Sequence, residues 1–261
     1  MYVALDIGGT KIRIASSDTL ASIVVDKMTF FPNTDNFSKD FPKLLNEIKS
    51  ISKSEKIEGI GIGIAGQLSD DKKTLVQAPN FSSWDNKNIV DVMGKTFSCP
   101  VVMQNDAVAG ALGEAVFREY KGENFVYLIW GTGIGGSEVT YTKNILSSKQ
   151  LPWATYFPAW EKECGGRSIV SEFGKAAESL SEEEWTVVEQ RFAKHLGEFL
   201  GKVKTTRIVF GGGVAVNHSM HLYHAVELMQ HNPLPIIVVS SLGEIANIMG
   251  AFYSLHHPQV S

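Results

Sequence analysis

Only two cysteines, Cys99 and Cys164, occur in 261 residues. They make no disulfide framework, which points to a reducing, cytoplasmic compartment. No run of 18 or more apolar residues is present, so no membrane-spanning helix is expected. Positive charge is not in excess either. The formal net charge is -4, which leaves no basic footprint for nucleic acid. The N-terminus has no basic segment followed by an apolar stretch and a cleavage site, so no secretory leader is expected. What remains is an ordinary globular composition, 44% hydrophobic and 20% charged. The length suffices for one large core or two smaller ones.

Glycine, in contrast, is concentrated where strands end. Tyr2 to Leu5 form an apolar strand that runs into Asp6-Ile7-Gly8-Gly9-Thr10-Lys11, and Ile12 to Ala15 form a second strand running out. Two β-prone runs joined by a short glycine turn predict a hairpin. Glycines allow close approach of the backbone to a ligand, and successive N–H groups in such a turn make an anion-binding concavity. Asp6 would repel a phosphate directly. It suits a divalent cation shared with the phosphate, held through water if the cation is Mg²⁺. An ordinary tight hairpin with Asp in a turn position is the plainer alternative. The same design returns at Phe125 to Trp130, Gly131-Thr132-Gly133-Ile134-Gly135-Gly136 and Ser137 to Tyr141. Two such hairpins suggest internal duplication of a nucleotide-binding half. A third glycine cluster, Gly211-Gly212-Gly213, follows the strand 206–210 and precedes a helix starting at Val214, a place where phosphate or a flat ligand approaches closely.

Between these turns the periodicity is informative. Ser22 to Val25 and Met28 to Phe31 predict a third strand. Phe37, Phe41, Leu44, Leu45, Ile48 and Ile51 predict an amphipathic helix, with Pro42 near its first turn. Isoleucine alternates with glycine from Ile57 to Gly66, a strand with one face open to tight packing or binding. Pro79 to Trp84 form a turn, 89–97 a short helix and 99–103 a buried strand. Gln104-Asn105-Asp106 then open a helix of small residues. Polar side chains at the carboxyl end of a buried strand are where open α/β sheets contact ligands, although Asp106 could also be a simple helix cap. Ser181 to Glu184 form a capping box, and Trp185, Val188, Phe192, Leu196 and Phe199 are the buried face of the helix that follows. Pro235 to Val239 predict the last strand and 244–255 the last helix. The stretch 144–167 has no clean period; its Trp153, Tyr156, Phe157 and Trp160 suit a lid, an oligomer contact or a satellite of the core. His218, His221, His224 and His231 recur on or beside one helix. With no acidic or cysteine ligand seen to converge on them, they read as solvated histidines.

The ordered set of motifs resembles the ROK family of sugar kinases, which are glucokinase-like. It runs from Asp6-Ile7-Gly8-Gly9-Thr10-Lys11 through the 59–66 strand, Pro79-Asn80 with Trp84, and Asn105-Asp106. Gly131 to Gly136, Cys164-Gly165-Gly166-Arg167 and Gly211 to Gly213 complete it. The likeness runs from Met1 to about Leu255. It implies an α/β fold of two ribonuclease H-like (actin-like ATPase) domains, residues 1–106 and 107–261, with a cleft between them. The final helix would pack back on the first domain. ATP and Mg²⁺ would lie in the cleft against both hairpins. Asp6 would hold the Mg²⁺ through water, Gly8, Gly9, Thr10, Lys11, Gly131, Thr132 and Gly133 would bracket the phosphates, and Gly211 to Gly213 would border the nucleoside. Asp106 would be the general base toward a sugar hydroxyl, with Gly66, Asn80 and Asn105 around the sugar.

The chain also departs from that family. The Glu-x-Gly-His that usually follows the second hairpin is absent; the region reads Leu151 to Phe157. Of the usual cysteine zinc motif only Cys164 remains, with Ile169 at another cysteine position, so no structural zinc is expected. A third sugar-contacting Glu falls at Ser171 in an ungapped match, or at Glu172 after a one-residue shift. The phosphate half of the site is kept and the sugar half rewritten, which leaves the hexose undefined. The leading expectation is an ATP-dependent hexose kinase. The alternatives are a non-catalytic sugar or nucleotide sensor and an N-acetylhexosamine kinase, in which the 151–160 stretch would face the acetyl group. A homodimer is the assembly the resemblance allows. The repressors of the family carry an N-terminal DNA-binding domain; here the first strand begins at residue 2, and DNA binding is not expected.

Overall fold

The computed structural model describes residues 1–53, 55–117, 120, 122–143, 145–229 and 233–257. The chain begins with β1 (Tyr2–Ile7), β2 (Lys11–Ser17) and β3 (Lys27–Pro32), followed by helix α1 (Phe37–Ser52) and β4 (Gly59–Ile64). Short strands β5 (Gln67–Leu68), β6 (Thr74–Gln77) and β7 (Lys87–Asn88) make a small three-stranded sheet. Then come α2 (Ile89–Phe97), β8 (Val101–Asn105) and α3 (Asp106–Phe117). The five-stranded sheet has the order β3-β2-β1-β4-β8. Its hairpin pairs are antiparallel, and β1, β4 and β8 run parallel. Parallel strands covered on both faces read as near-continuous apolar runs, and every residue of β4 is buried.

The second half repeats the plan. It comprises β9 (Phe125–Trp130), β10 (Ile134–Thr142) and β11 (Ile145–Gln150), then α4 (Trp153–Tyr156), α5 (Pro158–Cys164), α6 (Gly166–Phe173) and α7 (Glu182–Leu200). After these follow β12 (Arg207–Gly211), α8 (Gly213–Asn217), α9 (Ser219–Glu227), β13 (Ile236–Val239) and α10 (Ala246–His256). The sheet order β11-β10-β9-β12-β13 is that of the first sheet, with the same antiparallel hairpins and parallel crossovers. The two glycine hairpins thus occupy equivalent places in two equivalent sheets. On α7, the capping box between Ser181 and Glu184 is formed, and Trp185, Val188, Phe192, Leu196 and Phe199 are all buried.

Backbone contact between α3 and α10 joins the halves. A Cβ on Gly250 would fall on the Ala109 carbonyl, and one on Gly113 would fall on that of Ala246. The glycine face of β4 is filled by the same helix: a Cβ on Gly61 would strike the Ala251 carbonyl, and Gly59 lies against Leu255. Tight packing there serves a helix that arrives from the far end of the chain.

Three local expectations change. The segment 22–25 is not a strand; Val24 is exposed, and Asp26 rejoins the sheet by donating its N–H to the Ser16 carbonyl. Pro42 lies in the second turn of α1, whose entry is capped by the Asn36 side chain accepting from the Lys39 N–H. Phe157 and Trp160 are buried with Phe192 and Phe199, and Trp153 and Tyr156 pack on that cluster. Of the three readings open for these aromatics, a lid, an oligomer contact or a satellite of the core, their burial supports the last. Among the described residues, no helix is long and apolar enough to cross a membrane.

Candidate active site

The glycine turns converge. In the β1–β2 turn the Gly8 N–H donates to the Lys11 carbonyl at 3.0 Å, and Asn33 Nδ2 donates to the Gly8 carbonyl at 2.7 Å. In the β9–β10 turn the Gly131 N–H donates to the Gly133 carbonyl at 3.0 Å. The tips touch, with 3.4 Å between Thr10 Oγ1 and Thr132 Oγ1. Gly9 faces Asn80: a Cβ there would stand 2.8 Å from the Asn80 Cβ, closer than side chains approach, and a tight 3.2 Å from Thr132 Cγ2. The third turn joins from β12. Gly212 has φ +89°, a conformation that favours glycine, and a Cβ on Gly131 would be 3.7 Å from Gly213 N. Gly211 lies against the buried Tyr127 of β9. Lys11 turns outward, its ammonium 5.5 Å from the centre of the Phe30 ring.

At the base of the first hairpin Asp6 is 4% exposed. Arg13, its cross-strand partner in the β1–β2 register, donates to Asp6 Oδ2 at 2.9 Å, and Asn247 of α10 donates to Oδ1 at 2.9 Å. Arg13 also pairs with Glu244 at 2.9 Å. Burial raises the Asp6 carboxyl above its ordinary value, and Arg13 and Asn247 oppose that rise.

Asp106 opens α3, where its Oδ1 and the Oδ1 of Asn105 both accept from the Ala107 N–H at 2.9 Å. The cap is therefore shared, and Asn105 supplies it without Asp106. Asn105 Nδ2 reaches back to the Gly66 carbonyl at 2.9 Å, so these two residues hold each other. Burial and then the Asp6 charge push Asp106 up to about 7, with Glu161 adding to the rise. A carboxyl so placed exchanges its proton near neutrality, which is what general base catalysis requires.

Glu161 of α5 was not legible as a site residue. Its Oε2 accepts the Ile134 N–H at 2.7 Å, just past the second hairpin, and a Cβ on Gly133 would stand 2.8 Å from Asn80 Nδ2 and 3.0 Å from the Glu161 Cδ. Burial raises its carboxyl. A signal was present: Phe157, Trp160, Glu161 and Cys164 follow the i, i+3, i+4, i+7 spacing of a buried helix face, so Glu161 is a charge on an apolar stripe. Arg167 joins the two halves, donating through Nη1 to the Pro79 carbonyl at 3.4 Å and through Nη2 to that of Asn80. Glu172 is elsewhere engaged, in a two-bond pair with Arg191 of α7 at 2.6 and 2.9 Å.

Two metals are implied by the resemblance. For a hard divalent cation the residues fit: the Asp6 charge raises the proton affinity of the Asp106 carboxyl, a repulsion such a cation relieves. With both Asp6 oxygens already bonded, it would be held through water. For zinc at the cysteine position they do not fit. Cys164 is fully buried among aromatic rings, Ile169 is core, and burial pushes the thiol up to about 12.

Two mixed sheets of one plan, each contributing a glycine hairpin to a common cleft, define an actin-like α/β protein. Residues 2–147 match the ROK family, and the chain belongs to it. It is 32% identical over 143 residues to the glucokinase of Thermotoga maritima, covering 53% of this chain and 44% of that one. To the xylose repressor of Caldicellulosiruptor bescii it is 30% identical over 147 residues, 54% of this chain and 37% of that one. The chain thus spans under half the length of these two relatives. Its fold matches the ROK family glucokinase of Streptomyces griseus in complex with glucose and AMPPNP with a TM-score of 0.77, over 98% of this chain and 99% of that one at 19% identity.

Proposed function

We propose that the protein is an ATP-dependent kinase acting on a hydroxyl of a hexose or related sugar, with Asp106 as general base. The observation that carries this reading is the position of Asp106: its carboxyl, held near 7, feels Asp6 under one hairpin and Glu161 against the other. Phosphoryl transfer needs a positioned hydroxyl, a base within hydrogen-bond reach, and neutralisation of phosphate charge. Asp106 takes the hydroxyl proton. Backbone N–H groups of Gly9, Thr10, Thr132 and Gly133 cradle the phosphates, Gly8 and Gly131 close the two turns with their own N–H groups, and Lys11 adds positive potential from outside. Gly211 to Gly213 border the nucleoside. Asp6, with Asp106 beside it, would hold Mg²⁺, and the cation when bound would neutralise charge on the phosphoryl group. The two lobes are residues 1–106 and 107–261, hinged where α3 crosses α10.

Around the acceptor, Asn80, Asn105 and the Gly66 carbonyl bond hydroxyls. Glu161 takes the place first given to Glu172, because Arg191 holds Glu172. Glu161→Gln is expected to raise the acceptor KM roughly 10-fold, the loss of one charged hydrogen bond. Steady-state kinetics at saturating ATP reads this, and an unchanged KM removes Glu161 from the sugar site.

The test of the reaction is a coupled ADP-release assay over hexoses, pentoses and N-acetylhexosamines. Turnover of one of them supports the kinase. The second reading, a non-catalytic sensor, is favoured by the touching hairpin tips, by the engagement of both Asp6 oxygens, and by the likeness to a repressor. Calorimetry showing ATP binding, with no turnover on any sugar, decides for it. For an N-acetylhexosamine, Phe157 and Trp160 are core, which leaves the half-buried Trp153 and Tyr156 of the 151–160 stretch to face the acetyl group.

A further inference from the structure

The histidines of α9 are not simply solvated. Glu189 of α7, unforeseen as a neighbour, brings an acidic group to two of them; His231 lies outside the described residues. His221 and His224 stand one turn apart and both turn Nδ1 toward the same oxygen, Glu189 Oε1, at 2.7 and 3.3 Å. The three atoms all lie within 4.8 Å of one another. Among the described residues, this is the one group of three His, Cys, Asp or Glu side chains gathered closely enough to hold an ion.

We propose that Glu189, His221 and His224 form a zinc site that staples α9 to α7.

Four features carry this. First, the donor set, two imidazoles and one carboxylate, is a standard three-ligand set for zinc, with water in the fourth position. Second, tetrahedral zinc at ordinary bond lengths separates neighbouring ligand atoms by about 3.3 Å. The His224 spacing to Glu189 already matches, His221 needs to withdraw from Glu189 by about half an ångström, and the two imidazole nitrogens lie within 4.8 Å of each other. Third, the site is held in place. Trp185, one helical turn before Glu189, stacks on the His221 ring with centroids 4.0 Å apart and planes 7° from parallel. One helix therefore fixes both the orientation of the ring and the carboxylate it faces, as supporting contacts do at metal centres. Fourth, the site has an entrance. Glu189 and His221 are buried at 8% and 6% exposure, whereas the His224 side chain is 46% exposed. On loading, each ring carries its proton on Nε2 and offers the Nδ1 lone pair to the metal. The competing arrangement is a metal-free cluster in which both rings donate to one carboxylate oxygen.

The experiment uses the full-length chain without a polyhistidine tag. Zinc content after dialysis, isothermal titration with ZnCl₂, and the melting temperature with and without zinc are measured on wild type, His224→Ala, Glu189→Gln and Cys164→Ser. His224 is half-exposed, so its loss leaves the fold intact. Tryptophan fluorescence, which Trp185 stacked on His221 couples to the site, gives an independent reading. One zinc per chain is expected for wild type and Cys164→Ser, with a rise in melting temperature and a fluorescence change. In His224→Ala and Glu189→Gln, affinity is expected to drop at least 100-fold, beyond the 10–100-fold that loss of a merely supporting residue costs. Failure of wild type to bind zinc overturns the proposal. So does undiminished binding by His224→Ala or Glu189→Gln.

Discussion

Asp106→Asn is expected to lower turnover by about 10²–10⁴-fold and, at pH 8, to make the protein more stable. Both effects come from one carboxyl. In the fold it titrates at about 7, pushed up from an ordinary 3.8 first by burial and then by Asp6. Between those values the folded state holds a proton that the unfolded state has released. Stability from this group is therefore complete below pH 3.8 and lost as pH rises through 7. The gap between 3.8 and about 7 corresponds to at most roughly 4 kcal/mol, and the partial exposure of Asp106 brings the expected gain to about 2 kcal/mol. Asparagine abolishes that penalty at pH 8 and changes little at pH 4. In the wild type, kcat/KM should fall about tenfold per pH unit below 7 as the base protonates. Urea unfolding of wild type and variant at both pH values checks the stability, and a pH–rate profile checks the base. An Asp106→Asn protein as active as wild type ends the proposed mechanism.

The second large effect concerns glycine in two helices, with opposite signs. Gly250→Ala should cost about 3 kcal/mol, because the added methyl falls on the Ala109 main chain and α10 must move off α3. Neither helix has a flexible side chain at that contact to yield. Gly197→Ala should stabilise by about 1 kcal/mol. It lies inside α7 with nothing within 4 Å of the new methyl, and alanine favours the helix. Urea midpoints of both variants measure the difference. Equal midpoints would mean that α10 does not rest on α3 as described.

The hairpins were legible because their signal is local: two β-prone runs, a glycine turn and a carboxylate within a dozen residues. The repeat of that signal anticipated two sheets of the same plan. On β4 the isoleucine–glycine alternation showed that something packs tightly, but its occupant, α10, is nearly two hundred residues away and carries no mark of its destination. Glu161, Glu189 and Arg167 were missed for a related reason. Their roles depend on partners on other elements, Ile134, the α9 histidines and the 79–80 main chain, which no periodicity connects. The aromatic stretch was opaque because two short helices, α4 and α5, share one apolar face across a proline. The supposed strand at 22–25 misled because valines and isoleucine there have β propensity without a neighbouring strand to pair with.

The grip of Arg167 on the Pro79 and Asn80 carbonyls, next to the meeting of Thr10 and Thr132, bears on how fast a nucleotide can arrive. On the proposed kinase reading, a triphosphate threading between two tips that already touch would have to wait for that latch to release. Capture would then stop accelerating with concentration and level off at the frequency with which the latch springs open.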